Sequence, residues 1–252
     1  MIRPDPAAAS AAAHPALAGV RHERLDALRG AAVVWMALFH FCFDLSSFHF
    51  TASDFYRDPF WLHQRTAIVS LFLLCAGLSQ SVALGQGQAW SRFWRRWAQV
   101  AVCALLVSLG SWWMFPRSFI SFGVLHGMAL MLILLRLLGP RLPLALLWPL
   151  GLVAVLLPRL VQHPFFDSRW TDWVGLVTHK PVTVDFVPLL PWIGLMLWGY
   201  ALGRWRPGLL EGAVAAPLRP LAVLGRWSLS FYMLHQPLLI GVLWALQATI
   251  GA

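Results

Sequence analysis

The chain has 252 residues, of which 59% are hydrophobic and only 12% charged, and its formal net charge is +9. A soluble domain carries about a quarter charged residues, so the composition excludes one and reads as an integral membrane protein in a lipid bilayer. The basic residues sit between apolar runs, where positive charge orients helices, so they do not point to nucleic acid.

Residues 1–20, rich in alanine and proline, read as a disordered cytoplasmic tail without a helix-length apolar face. Arg21, Arg24 and Arg29 lead straight into a full-length apolar run, which argues against a signal peptide. Residues 21–252 then form one transmembrane domain. Hydropathy places seven spans at about 28–48, 60–84, 94–115, 119–138, 142–161, 186–205 and 220–249. The last run is long enough to begin with an interfacial turn after Pro220. Pro116 and Gly139-Pro140 mark short turns between antiparallel neighbours.

Sorting the 19 Lys and Arg by side, with Arg29 left out as lying within the first span, gives twelve on the N-terminal side against six. That asymmetry predicts N-in, C-out topology. The longest outer segment, about 162–185, carries His163, Asp167, Asp172, His179 and Asp185, and either covers a site or is solvated. The expected fold is an all-α integral membrane bundle with a central polar cavity.

The first span carries ionisable residues into the membrane, where they are expensive and by default functional. Arg29 and His40 are eleven residues apart, about 16 Å along one helical stripe. Asp44 lies one turn beyond His40, within reach of its ring. His126 and His235 come out at similar depth, measured from Arg136 and Arg226. Three histidines at one level predict a shared cavity. Ser121 beside His126, and Ser228 and Ser230 before His235, offer small hydroxylated contacts. The cysteines Cys42, Cys75 and Cys103 all fall inside apolar runs and read as buried packing residues, with no metal site. The 15 tryptophans fall mostly near span ends, as interface anchors.

LDALRG at 25–30, MALFH at 36–40, FLLCAG at 72–77, FISFGVLH at 119–126 and SLSFYMLHQP at 228–237 resemble bacterial relatives of heparan-α-glucosaminide N-acetyltransferase. The spacing of Arg29 and His40 is also similar to that of the acyltransferase-3 group. The resemblance implies acyl transfer from cytoplasmic acetyl-CoA, or another acyl-CoA, to a hydroxyl or amine of a sugar across the bacterial inner membrane. Acyl-CoA would be a co-substrate, with no permanently bound cofactor. By the same resemblance His40 matches the catalytic histidine and Arg29 the basic partner near the CoA entrance. No large lumenal domain precedes the first span, so an envelope glycan is the expected acceptor rather than heparan.

The residues suit that chemistry on their own terms. Imidazole works as a general base near neutral pH, and Asp44 would hold its other nitrogen. Attack on the thioester would run directly or through an acyl-histidine. Arg29 and Arg24 would attract the CoA phosphates, with His126, His235, Ser121 and Ser230 lining the substrate path. Two other functions remain open at this level. A proton-coupled transporter uses the same residue types, and a membrane cytochrome ligates haem through facing histidines. A purely structural membrane subunit is the bland alternative. A retinal protein is excluded, because the lone lysine, Lys180, lies in a loop. A homo-oligomer is compatible with the pattern.

Overall fold

The computed structural model describes residues 22–250, so the tail expected at 1–20 lies outside the described residues. The described chain is helical, with no strand among those residues. Its helices are α1 (Glu23–Ser47), α2 (Pro59–Gly85), α3 (Trp90–Met114), α4 (Val124–Leu138), α5 (Leu144–Leu160), α6 (Leu189–Trp205), α7 (Arg219–Arg226) and α8 (Ser228–Ile250). Five stretches are long and apolar enough to cross a membrane: α1, α2, α3, α4 with the turn that follows it, and α8. Helices α5 and α6 have 17 residues each, about 26 Å, a little short of a hydrocarbon core of about 30 Å.

Two departures from hydropathy decide where α4 and α8 begin. The span expected from 119 begins as a helix only at Val124. The apolar residues before it form a bent, non-helical run fastened to the segment preceding α6, by Val184 N–H to the Ser118 carbonyl and Val187 N–H to the Phe122 carbonyl, each 3.1 Å. The run expected as one span at 220–249 is divided at Trp227, so that the short helix α7 precedes α8.

The core lies between α2, α4, α5 and α6, around Leu73, Met131, Leu147, Met196 and Tyr200. Helix α6 packs closely on both α2 and α5. A Cβ on Gly77 would strike the Met196 carbonyl, and one on Gly199 the Leu74 carbonyl, so these glycines set the α2–α6 approach. A second contact of this kind seats α7 on α1, with Gly30 against the Leu221 carbonyl and Gly225 against the Asp26 carbonyl. That crossing fixes where α8 begins and therefore which of its residues meet α1.

The loops gather at two ends. His22 bonds to the Leu210 carbonyl, Arg136 to that of Gln88, and Arg204 to that of Leu142, so the start of α1 and the connections after α2, α4 and α6 share one end. At the other end Tyr56, Ser118 and Lys180 line one cleft.

Candidate functional site

His40 of α1 and His235 of α8 meet: His40 Nδ1 lies 2.7 Å from His235 Nε2, with the rings within 10° of parallel. His235 is buried and His40 half-buried. The tautomers follow from what surrounds them. His235 Nδ1 faces the carbonyls of Tyr232 at 2.8 Å and Phe231 at 3.2 Å. A carbonyl only accepts, so Nδ1 carries the proton and Nε2 of the neutral ring offers a lone pair. His40 Nδ1 must then be the donor to it, which leaves His40 Nε2 unprotonated. A helical backbone thus sets the tautomer of one ring, and that ring sets the other.

The bond expected between Asp44 and His40 is not formed. Asp44, buried at 3% exposure, instead accepts from Gln236 Nε2 at 2.8 and 3.0 Å. The reason is geometric: His235 and Gln236 are successive residues on α8, and each reaches one of two α1 residues a turn apart. His235 takes the place at the ring, and Asp44 becomes the clamp beside it.

Arg29 lies on α1 as expected, half-buried, and donates to Asp26 Oδ1 at 2.7 Å and Ser79 Oγ at 2.9 Å. Ser79 in turn donates to the Cys75 carbonyl. Two of the five guanidinium donors are spoken for, and three remain. Arg24 is exposed at the helix start and reaches the Leu209 carbonyl at 3.4 Å.

His126 does not join the other two histidines. Its Nδ1 accepts the Gly123 N–H at 3.3 Å, so Nε2 carries the proton and donates to Ser108 Oγ at 3.1 Å. Ser108 passes its own hydrogen to the Ile120 carbonyl at 2.6 Å. Both ring nitrogens are spent on the entry to α4, and the shared cavity of three histidines reduces to a pair. Ser121 sits in the bend before α4 and Ser230 is exposed on α8. Neither hydrogen-bonds to the pair among the described residues.

Sequence reasoning missed two polar groups. Gln236 stands directly after His235, and the adjacency was the available signal. Asp185 belongs by sequence to the outer loop, but its carboxylate accepts the Val124 N–H at 2.8 Å and caps α4. Burial pushes the Asp185 carboxyl above its ordinary range, against the backbone bond from Val124. Asp172, in a 3₁₀ turn after α5, is also buried, and that burial raises its carboxyl against the Arg169 charge and the backbone N–H of Trp173. No group of three His, Cys, Asp or Glu among the described residues is placed to hold a metal.

A family model described as "Heparan-alpha-glucosaminide N-acetyltransferase, catalytic" matches residues 21–237. No curated protein and no solved structure matches the chain.

Proposed function

The chain belongs to the heparan-alpha-glucosaminide N-acetyltransferase catalytic family, and from that premise we propose how this membrane acetyltransferase works. It moves an acetyl group from cytoplasmic acetyl-CoA to a sugar of the bacterial envelope on the far side of the inner membrane. The observation that carries the reading is the His40–His235 pair, which leaves a lone pair on His40 Nε2 inside the bundle. A membrane-buried imidazole with one nitrogen fixed and the other free is arranged as a general base.

In the direct route the acceptor hydroxyl or amine gives its proton to His40 Nε2 as its oxygen or nitrogen bonds to the thioester carbon. The carbon–sulfur bond breaks and the departing thiolate takes the proton. The imidazolium formed in between keeps its Nδ1–H on His235 Nε2, so the charge is shared along the pair. Transfer through an acyl-histidine would begin at the same lone pair. Asp44 and Gln236 hold α1 against α8 beside it. The free donors of Arg29, with exposed Arg24, serve the phosphates of the donor, and a pantetheine arm would span the distance inward to His40.

N-in, C-out topology with seven crossings supplies donor and acceptor from opposite sides. Its support is the gathering of the arginine-rich connections at one end of the bundle. The rival reading of a haem protein is disfavoured by the 2.7 Å between facing nitrogens. Imidazoles facing each other from opposite sides of one haem iron would stand about 4 Å apart, given metal–nitrogen bonds of about 2 Å.

The test is incubation of the purified protein with labelled acetyl-CoA and envelope glycan fractions, beside His40→Ala. Label should move to glycan with the parent and drop by about 10²–10⁴ with the variant, the range for loss of a general base. Parent-like transfer by His40→Ala would remove the histidine from the chemistry.

A further inference from the structure

The connection from α1 to α2 is a fixed turn. Ser46 Oγ donates to the Ser53 carbonyl at 2.7 Å, and Asp54 Oδ1 accepts the N–H groups of Tyr56 at 2.9 Å and Arg57 at 3.0 Å. Phe55 plugs the turn into the bundle. At 6% exposure it stacks on Trp61, with centroids 4.0 Å apart, and meets Phe39 and Phe43 edge-on. Its neighbour Tyr56 is turned the other way and stands 59% exposed.

Tyr56 lines two clefts at this end of the bundle. The first, of about 400 Å³, has Phe43 of α1 with Ser47, Thr51 and Asp54 around it. The second, of about 330 Å³, has Ser118, Lys180 and Thr183. Both volumes fall in the range of small-molecule sites. The side chains of Thr51, Tyr56, Ser118 and Lys180 make no hydrogen bond among the described residues, and Asp54 keeps Oδ2 for a ligand. A tyrosine that anchors a helix at the membrane interface has lipid beside it, whereas this one is bordered by hydroxyls, a carboxylate and an ammonium. Phe43 lies three residues beyond His40 on α1, about 5 Å along the axis, and Phe39 meets both the Phe55 and the His40 rings. The first cleft therefore adjoins the histidine pair, and the second is reached past Tyr56.

An aromatic ring edged by donors and acceptors has the chemistry that holds a sugar. The ring takes the apolar C–H face of a pyranose, and side-chain oxygens and nitrogens take its polar groups. We propose that the two clefts form the acceptor subsite, taking two linked sugar units with Tyr56 between them and the reacting unit over Phe43. The inference rests on the acetyltransferase reading. Asp54 Oδ2 accepts from a hydroxyl or an amine of the reacting unit, and Lys180 donates to oxygens of the next. The subsite thus recognises a linked pair in preference to a single sugar.

The experiment uses the full chain in nanodiscs with labelled acetyl-CoA, and glucosamine or the chitosan disaccharide as acceptor. Both acceptors carry hydroxyls and amines, so they leave the reacting atom open. The parent should show a KM for the disaccharide about tenfold below that for the monosaccharide, the worth of one further set of polar contacts. Tyr56→Ala should raise the disaccharide KM about three- to tenfold, the scale of a lost aromatic contact, and Tyr56→Phe should keep the parent value. Lys180→Gln should raise the KM of the disaccharide alone. Asp54→Asn should raise both, since Asn retains an oxygen for the Tyr56 and Arg57 N–H groups but not the charge. The KM for acetyl-CoA should stay at the parent value throughout. Equal KM for the two acceptors in the parent, or a parent-like disaccharide KM in Tyr56→Ala, overturns the proposal. A lower thermal midpoint in Tyr56→Ala with that KM unchanged would make Tyr56 a membrane anchor instead. Thermal protection by the disaccharide without acetyl-CoA is read in parallel and should vanish in Tyr56→Ala. Protection that depends on Tyr56 with no transfer would sink the acetyltransferase reading and keep the subsite; transfer indifferent to Tyr56 does the reverse. Neither protection nor transfer overturns both. Should Tyr56→Ala fail to fold, Lys180→Gln, at an exposed side chain, carries the same comparison.

Discussion

At the scale of single residues, the proposed chemistry depends on which nitrogen of His40 is free, and that is decided on another helix, by carbonyls one turn before His235 on α8. The carbonyls of Phe231 and Tyr232 hold the His235 proton on Nδ1, and His235 Nε2 holds the His40 proton on Nδ1. His235→Ala removes the acceptor for that proton and lets His40 turn or change tautomer. We expect a fall in kcat of about 10–100-fold, by analogy with the loss of a partner that orients a metal-bound imidazole, with smaller change in the KM for acetyl-CoA. A parent-like kcat in His235→Ala would show that the pair is packing alone. Asp44→Ala should act differently, leaving Gln236 without its acceptor and costing about 1–3 kcal/mol of stability, read as a lower thermal midpoint. An ionisable side chain in an apolar setting makes His40, Asp44 and His235 legible in the sequence. Their pairing is not, because it depends on the rotation of α8 about its axis, which α7 sets through Gly225 and Gly30. His126 misled for a related reason: it has the depth of its partners, but it stands at a helix start, where unpaired N–H groups claim it.

At the scale of elements, helix bodies followed from hydropathy and helix ends did not, since ends are settled by hydrogen bonds to distant segments. Helix α4 shows this at its start, where residues 118–122 bond to 184–187 in place of continuing the helix. Helices α1 and α2 end instead on local bonds, with N–H groups of the two residues after the cap bonded back into the last turn. In α2 the left-handed position is Gly87, at φ 65°, and in α1 it is His49, at φ 62°. A side chain there costs about 1 kcal/mol relative to glycine. His49→Gly should therefore raise the thermal midpoint, and a fall would mean that the His49 ring holds the loop by contacts of its own. The segment after α5 carries a pH dependence. Burial raises the Asp172 carboxyl above the ordinary value near 3.8, so the folded loop binds this proton more tightly than the unfolded chain. Its contribution is fully present below the ordinary value and is lost as pH rises through the folded value. Asp167 runs the other way: the Thr178 hydroxyl lowers it, and its contribution is lost as pH falls. Asp172→Asn isolates the first effect. The midpoint of the parent relative to that variant should be higher at about pH 5 than at about pH 8, and a difference independent of pH would place Asp172 in water.

At the scale of the whole molecule, the apolar surface and the charges divide the labour of placing the chain in a bilayer. Helices α3 and α8 turn Val102, Leu105, Leu109, Leu238 and Val242 outward, a surface suited to lipid tails. The arginines, which set orientation, are not all solvated. Arg136 is buried at 5% exposure, with its guanidinium 4.9 Å from the Trp90 ring centroid and 5.3 Å from that of Phe93. It is thereby a packing residue at its end of the bundle as well as a positive charge. Removing it from the count leaves eleven Lys and Arg on the N-terminal side against six, so the asymmetry that predicts N-in survives. The three-dimensional grouping of the connections adds an independent constraint. The loop after α2, the turn after α4 and the segment after α6 bond to one another or to the start of α1. They must therefore lie on one side of the membrane, whichever side that is. Reporter fusions at Arg92 and Gly208 should accordingly agree with each other and read cytoplasmic, while a fusion at Asp172 reads external. Disagreement between Arg92 and Gly208 would contradict the grouping itself. Agreement with both external would reverse the orientation, moving Arg29 to the outer face and away from any cytoplasmic donor. A cytoplasmic signal at Asp172 would place both mouths of the bundle on one side, and transfer of an acetyl group across the membrane through His40 would then be impossible.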